Sequence, residues 1–288
     1  MRKKTRRKKA TRRRSTCPRA AANGLRAAFR RGRRHGPALV AYVTAGDPDL
    51  KFTEKLVLRL AEAGADVIEL GVPFSDPIAD GPVIQRASER ALKAGTTLAG
   101  VLKLAGRVRK KSAIPLVLFS YYNPVLQMGV ERFTARAAAA GLNGVLITDL
   151  TPEEAGEFVR TLRRRKLDTV FLAAPTSSNG RLRSIAQLSR GFLYLIARRG
   201  VTGAPTEVGA EIKSLLKRLR RHTRLPVAVG FGISRPEQVA ALDGLVDGVV
   251  VGSALVQCCE EAGHGPAALE DAVRLVQELK NKGREGKR

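Results

Sequence analysis

One short apolar run carries a carboxyl group that packing alone does not call for. Val67-Ile68-Glu69-Leu70-Gly71 reads as a core strand, and Glu69 stands near its carboxyl end. Burying that charge without a partner is costly, and desolvation raises the pKa of a Glu until it both donates and accepts a proton near neutral pH. A Glu69 turned outward to a helix Lys or Arg is the alternative. The next segment, Pro73-Phe74-Ser75-Asp76-Pro77-Ile78-Ala79-Asp80-Gly81-Pro82, is too long and too rich in Pro and Gly for a minimal strand-to-helix turn, and it adds Asp76 and Asp80. Long loops of this kind often carry function, although either acid can instead cap the following helix. With Glu69 desolvated and Asp80 on a polar loop, two carboxyl groups in unlike surroundings can divide acid–base and electrostatic work.

Three glycine-rich turns suggest what is held beside those acids: Gly200-Val201-Thr202-Gly203, Gly230-Phe231-Gly232-Ile233-Ser234 and Gly252-Ser253. Glycine lets backbone amides approach an anion, and a helix starting after Gly252-Ser253 adds its dipole. Ordinary turns are the alternative, since glycine is common in loops. A phosphorylated substrate is the expectation. No metal is expected, because His35, His222 and His264 are far apart and lack acids or cysteines at ligand spacing. Cys17, Cys258 and Cys259 cannot make a disulfide framework and point to a reducing compartment.

Elements that would position these groups follow from periodicity. From Ala38 onward β-branched runs alternate with amphipathic stretches. Strands are expected near Ala38 to Thr44, Asp66 to Gly71, Pro115 to Tyr121, Gly144 to Asp149, Thr169 to Ala173, Phe192 to Ala197, Pro226 to Gly230 and Gly248 to Val251. Helical patterns between them include Leu50 to Ala63, Thr97 to Lys111, Pro152 to Arg165 and Glu207 to Arg220, with a last one from Ala267 to Lys280. Eight strands joined by long crossovers predict an α/β fold, a closed (β/α)₈ TIM barrel. The glycine turns then follow strands six to eight, and those after seven and eight fall where such barrels commonly hold phosphate. Chemistry belongs at the carboxyl ends of the strands.

Charge is distributed unevenly. The chain of 288 residues carries 52 Lys and Arg against 26 Asp and Glu, but 16 of the basic residues fall between Arg2 and Arg34, before the first acid at Asp47. Residues 1–22 are therefore expected to be a basic low-complexity tail, and 23–288 the barrel domain. For the tail, an accessory extension, a polyanion-binding arm and an organellar targeting peptide all remain open. With 44% hydrophobic residues the rest has ordinary globular composition, and no run approaches the roughly 18 apolar residues of a membrane helix. A cytoplasmic location is expected.

The residues also resemble a known family, the tryptophan synthase α subunit. The likeness runs from about Leu25 to Val256. It rests on Ala41-Tyr42-Val43-Thr44-Ala45-Gly46-Asp47-Pro48, the Glu69 to Pro82 segment, Tyr121-Tyr122-Asn123-Pro124, Gly200 to Gly203 and Gly230 to Ser234. It implies retro-aldol cleavage of indole-3-glycerol phosphate to indole and glyceraldehyde 3-phosphate. By the same likeness Glu69 is the acid for indole C3, and Asp80 faces the indole N–H. Tyr194 is the phenol near Glu69, and Thr202 on a closing loop holds Asp80. The resemblance puts Gly203, Gly232, Gly252 and Ser253 on the phosphate, Tyr42 and Phe231 on the indole, and Pro73 and Asp76 on the partner loop. It implies an α₂β₂ complex with pyridoxal phosphate on the β subunit and none on this chain; a stand-alone lyase releasing free indole is the other enzyme reading. Three departures stand out: Arg199 where small residues are usual, Tyr42 at a frequent Phe position, and a tail without counterpart.

Overall fold

The computed structural model describes residues 24–33, 36–196, 205–230 and 232–285. The tail 1–22, Cys17 and His35 lie outside the described residues. α1 (Leu25–Gly32) leads to β1 (Ala38–Thr44), α2 (Leu50–Ala63) and β2 (Val67–Gly71). Two helices, α3 (Pro82–Lys93) and α4 (Leu98–Lys111), precede β3 (Leu116–Ser120), and α5 (Tyr122–Met128) and α6 (Val130–Ala139) precede β4 (Gly144–Ile147). α7 (Gly156–Arg164) leads to β5 (Asp168–Val170) and β6 (Leu172–Ala173), α8 (Asn179–Leu188) to β7 (Leu193–Ile196), and α9 (Pro205–Arg220) to β8 (Val227–Gly230). α10 (Pro236–Leu242), β9 (Gly248–Val251), α11 (Ser253–Glu261) and α12 (Pro266–Glu285) follow.

All strands are parallel, in the order β5-β4-β3-β2-β1-β9-β8-β7-β6. The expected fifth strand is found as β5 and β6 with only Phe171 between them. β5 pairs with β4 and β6 with β7, while the Phe171 carbonyl accepts the Tyr194 N–H at 3.2 Å. One strand therefore changes neighbours midway and completes a ring of eight, as the stagger of tilted barrel strands requires. The fold is a TIM barrel.

Helix ends follow local chemistry. Asp49 caps α2 by accepting the Lys51 and Phe52 N–H groups, each at 2.7 Å, and Thr97 caps α4 through the Gly100 N–H. α7 starts four residues later than its pattern suggests, because the Thr151 carbonyl takes the Glu154 and Ala155 N–H groups in a turn.

Strand alternation sorts side chains between two cores. Ile68 and Leu70 face the helices, whereas Val67 faces the barrel axis with Val40, Val117, Leu146 and Val250. α1 closes the axis from below with Leu25, Ala28 and Phe29, the Phe29 ring lying 4.9 Å from that of Phe192. Residues two further along each strand form the top of the interior: Tyr42, Glu69, Phe119, Thr148 and Tyr194. Among the described residues no helix is long and apolar enough to cross a membrane.

Candidate active site

At the carboxyl ends of the strands a cavity of about 660 Å³ is lined by Tyr42, Asp80, Phe119, Thr148, Leu172, Tyr194 and Ile196, with Gly232, Gly252 and Ser253 at one side. Its strand residues all belong to the axis-facing set, so the alternation that builds the interior also builds the pocket.

Glu69 pairs in register with Tyr42 and shares its inward orientation. It is 0% exposed, and neither carboxyl oxygen meets a hydrogen-bond partner among the described residues. The outward-turned alternative is therefore excluded. Burial pushes its pKa from 4.5 up to about 8, so at neutral pH the group holds its proton.

Two phenols flank this carboxyl group electrostatically. Burial raises the Tyr194 pKa first, with Glu69 adding to it; burial, Asp80 and Glu69 raise that of Tyr42 against the Thr44 hydroxyl. Both stay neutral. Each rests over a glycine: a Cβ on Gly71 would lie 2.2 Å from the Tyr42 hydroxyl, and one on Gly230 2.1 Å from the Tyr194 hydroxyl. Only a residue without a side chain lets these rings lie down against the neighbouring strand. The Tyr42 ring meets Phe119 edge-on at 5.2 Å, so the departure from Phe is accommodated.

Asp80 hangs half-buried over the same cavity. Its Oδ2 accepts from the Tyr121 hydroxyl at 3.0 Å, and that hydroxyl accepts the Ala79 N–H at 2.9 Å. Burial raises the Asp80 pKa, and the Tyr121 hydrogen bond pulls it back toward the anion. Tyr121, in the run Tyr121-Tyr122-Asn123-Pro124, has no role that the sequence alone assigns. Its signal is position, two residues beyond Phe119 and hence inward at the mouth of β3. Phe74 packs on its ring at 5.0 Å. Pro73 is buried, whereas Asp76 is exposed and accepts from Ser75 at 2.5 Å.

A second unforeseen cluster ties the mouth together. Asp47, 6% exposed, takes a two-pronged contact from Arg90 of α3 at 2.7 and 2.8 Å. Arg90 also reaches Glu260 of α11 at 2.7 Å, and Arg86 grips the same Glu260 at 3.0 and 2.8 Å. The helix that follows Asp80 is thereby fastened to the helix that begins at Ser253.

At the glycine side, Gly232 has a φ of +70° and Gly252 precedes the first turn of α11, whose N–H groups face this end. Thr202, Gly203, Phe231 and Arg199 lie outside the described residues. Among those described, no group of His, Cys, Asp and Glu is arranged to hold a metal.

The family model described as "Tryptophan synthase alpha chain" matches residues 29–284. The chain belongs to the tryptophan synthase alpha chain family. A tryptophan synthase alpha chain from Solibacter usitatus (strain Ellin6076) is 53% identical over 248 residues, covering 86% of this chain and 93% of that relative. One from Geotalea uraniireducens (strain Rf4) is 54% identical over 83% of this chain and 93% of its own. Among solved structures, the tryptophan synthase α₂β₂ complex from Pyrococcus furiosus has a chain with 44% identity and a TM-score of 0.78, covering 84% of this chain and 97% of that one. The tryptophan synthase subunit alpha from Legionella pneumophila str. Paris has 35% identity and a TM-score of 0.82 over 90% and 97%. As an alpha chain this protein is a lyase acting on indole-3-glycerol phosphate. The family match begins beyond the basic tail.

Proposed function

We propose that Glu69, Asp80, Tyr194 and Thr202 carry the cleavage of indole-3-glycerol phosphate as follows. The glycine side, Gly203, Gly232, Gly252 and Ser253, holds the phosphate by backbone N–H groups, the helix dipole and the serine hydroxyl. Tyr42 and Phe231, with Phe119, give the indole flat walls. Protonated Glu69 turns from its buried position and delivers its proton to indole C3, leaving positive charge on the ring nitrogen. Asp80, held anionic by Tyr121, faces that nitrogen and stabilises the charge in a dry site. The Glu69 carboxylate then takes the proton of the neighbouring side-chain hydroxyl. The C3–carbon bond breaks, its electron pair returns to the ring, and the hydroxyl carbon becomes the aldehyde of glyceraldehyde 3-phosphate. Thr202 secures Asp80 from the closing loop.

The observation that carries this reading is the fully buried, unpartnered Glu69 beside two neutral phenols. Proton transfers and one anionic neighbour suffice, so the chain needs no cofactor of its own. The partner is the β subunit of an α₂β₂ complex, which holds pyridoxal phosphate. Pro73 and Asp76 belong to the loop toward it, on which Ile78 presents an 87% exposed apolar side chain. Residues 23–288 form the catalytic domain, in the cytoplasm, and 1–22 an accessory tail.

Indole release from indole-3-glycerol phosphate, measured with and without a β subunit, tests the reading. Glu69→Gln is expected to abolish single-turnover cleavage while leaving substrate binding measurable, and Asp80→Asn to lose most activity. Near-full indole production by Glu69→Gln refutes the acid–base role, and full turnover unaffected by the β subunit refutes the coupled role.

A further inference from the structure

Parallel strands all begin at one end of the barrel, so the loops entering them share the face opposite the cavity. α1 lies across it. A Cβ on Gly191 would stand 2.7 Å from Leu25 and one on Gly248 2.6 Å from Phe29, so the buried stripe of α1 is seated on the strand starts. Its other stripe, Arg26, Arg30 and Arg33, is exposed at helical spacing. Around it the entering loops present exposed Arg165, Lys166, Arg190, Arg221 and Arg224.

The acids of these loops are turned inward. Asp66 accepts the Leu39 N–H at 2.8 Å and pairs with Lys280 at 2.6 Å. Buried Asp247 accepts the Val227 N–H at 2.8 Å and is bridged by Arg33 and Arg220. Asp168 is half-buried and feels Arg190 and Arg26, while Asp243 turns onto the Gly244 N–H at 2.9 Å. None of the four is exposed. Apart from the exposed Glu62 in the last turn of α2, what faces outward here is cationic.

Helix dipoles explain cations in last turns, such as those of α4, α7 and α9. They do not explain Arg26, which stands in the first turn of α1, where the dipole opposes it.

We propose that this face binds the phosphate backbone of nucleic acid without reading its sequence. Arginine dominates the exposed set, and its fork matches phosphate. A lipid surface fits less well, because the exposed large apolar side chains among the described residues, Ile78, Leu92 and Leu126, belong to elements at the cavity end.

The test uses the full chain with a fluorescent 20-nucleotide poly(U) RNA and a duplex DNA of equal length, titrated from low to moderate KCl. Replacing four exposed arginines (Arg26→Gln, Arg30→Gln, Arg190→Gln, Arg224→Gln) is expected to lower the RNA salt slope by about 3 and weaken binding about 100-fold at physiological salt. Indole-3-glycerol phosphate cleavage should be unchanged, which also reports that the variant folds. On the unaltered protein, RNA should shield Arg26 and Arg30 from phenylglyoxal. An unchanged slope and affinity, or arginines left unshielded, overturns the proposal. Tighter binding to phosphatidylglycerol vesicles than to either nucleic acid overturns it in favour of a membrane.

Discussion

Glu69→Gln is expected to separate stability from catalysis in opposite directions. In the folded chain the carboxyl group titrates near 8 rather than 4.5, because burial without a partner penalises its charge. Below pH 4.5 both folded and unfolded chains hold the proton, and the shift costs nothing. Between 4.5 and 8 the unfolded chain ionises while the folded one does not, so stability falls by about 1.4 kcal/mol per pH unit. The loss reaches about 3 kcal/mol at pH 7 and about 5 kcal/mol above pH 8, where it levels off. Glutamine has nearly the same shape and no ionisation, so it removes this pH dependence. Urea unfolding at pH 5, 6, 7 and 8 measures it: the variant should gain steadily on the parent across this range, while its cleavage activity is absent throughout. A constant difference in unfolding free energy from pH 5 to 8 would mean that Glu69 ionises in the fold as it does in water, and the acid–base argument would lose its basis. The same raised pKa makes kcat/KM for the parent fall tenfold per unit above about pH 8, as the acid form disappears.

Tyr121→Phe removes the donor whose hydrogen bond favours the Asp80 anion against burial, and the acceptor that holds the Ala79 N–H. Hydrogen bonds to charged groups contribute about 1.5–3 kcal/mol, so the fold should lose up to about that much stability and kcat should fall by about 10- to 100-fold; unchanged kcat in steady-state cleavage assays counts against the role given to Asp80. Arg90→Gln leaves Asp47 buried with its main partner gone, a change costing about 3 kcal/mol or more. Because Arg90 also ties α3 to α11, the KM for indole-3-glycerol phosphate should rise more than kcat falls. A denaturant midpoint and KM both equal to the parent's would show that the clamp is inert.

Local pattern is enough to reveal the strands and the odd residue among them. Glu69 is conspicuous because everything beside it in Val67 to Gly71 is apolar, and that contrast survives without knowledge of neighbours. Periodicity also places α2, α4 and α9 to within two residues, since their apolar stripes are read within one helix. The division of the fifth strand at Phe171 is not visible this way, because it depends on which neighbour each half meets.

Contacts between distant segments behave differently. Tyr121 reaches Asp80 across 41 positions and Arg90 reaches Asp47 across 43, and neither spacing matches a helix or strand period. Such pairs become legible only when closure of the barrel is added to strand alternation. Given closure, Val67 facing the axis forces Glu69 to face it; Val40 and Val117 do the same for Tyr42 and Phe119, and Ala228 for Gly230. The glycines at 71 and 230 then cease to be generic turn residues. They are the positions at which a tyrosine from the adjacent strand needs room, and that room is what keeps two neutral phenols beside a buried carboxyl group that has no hydrogen-bond partner among the described residues.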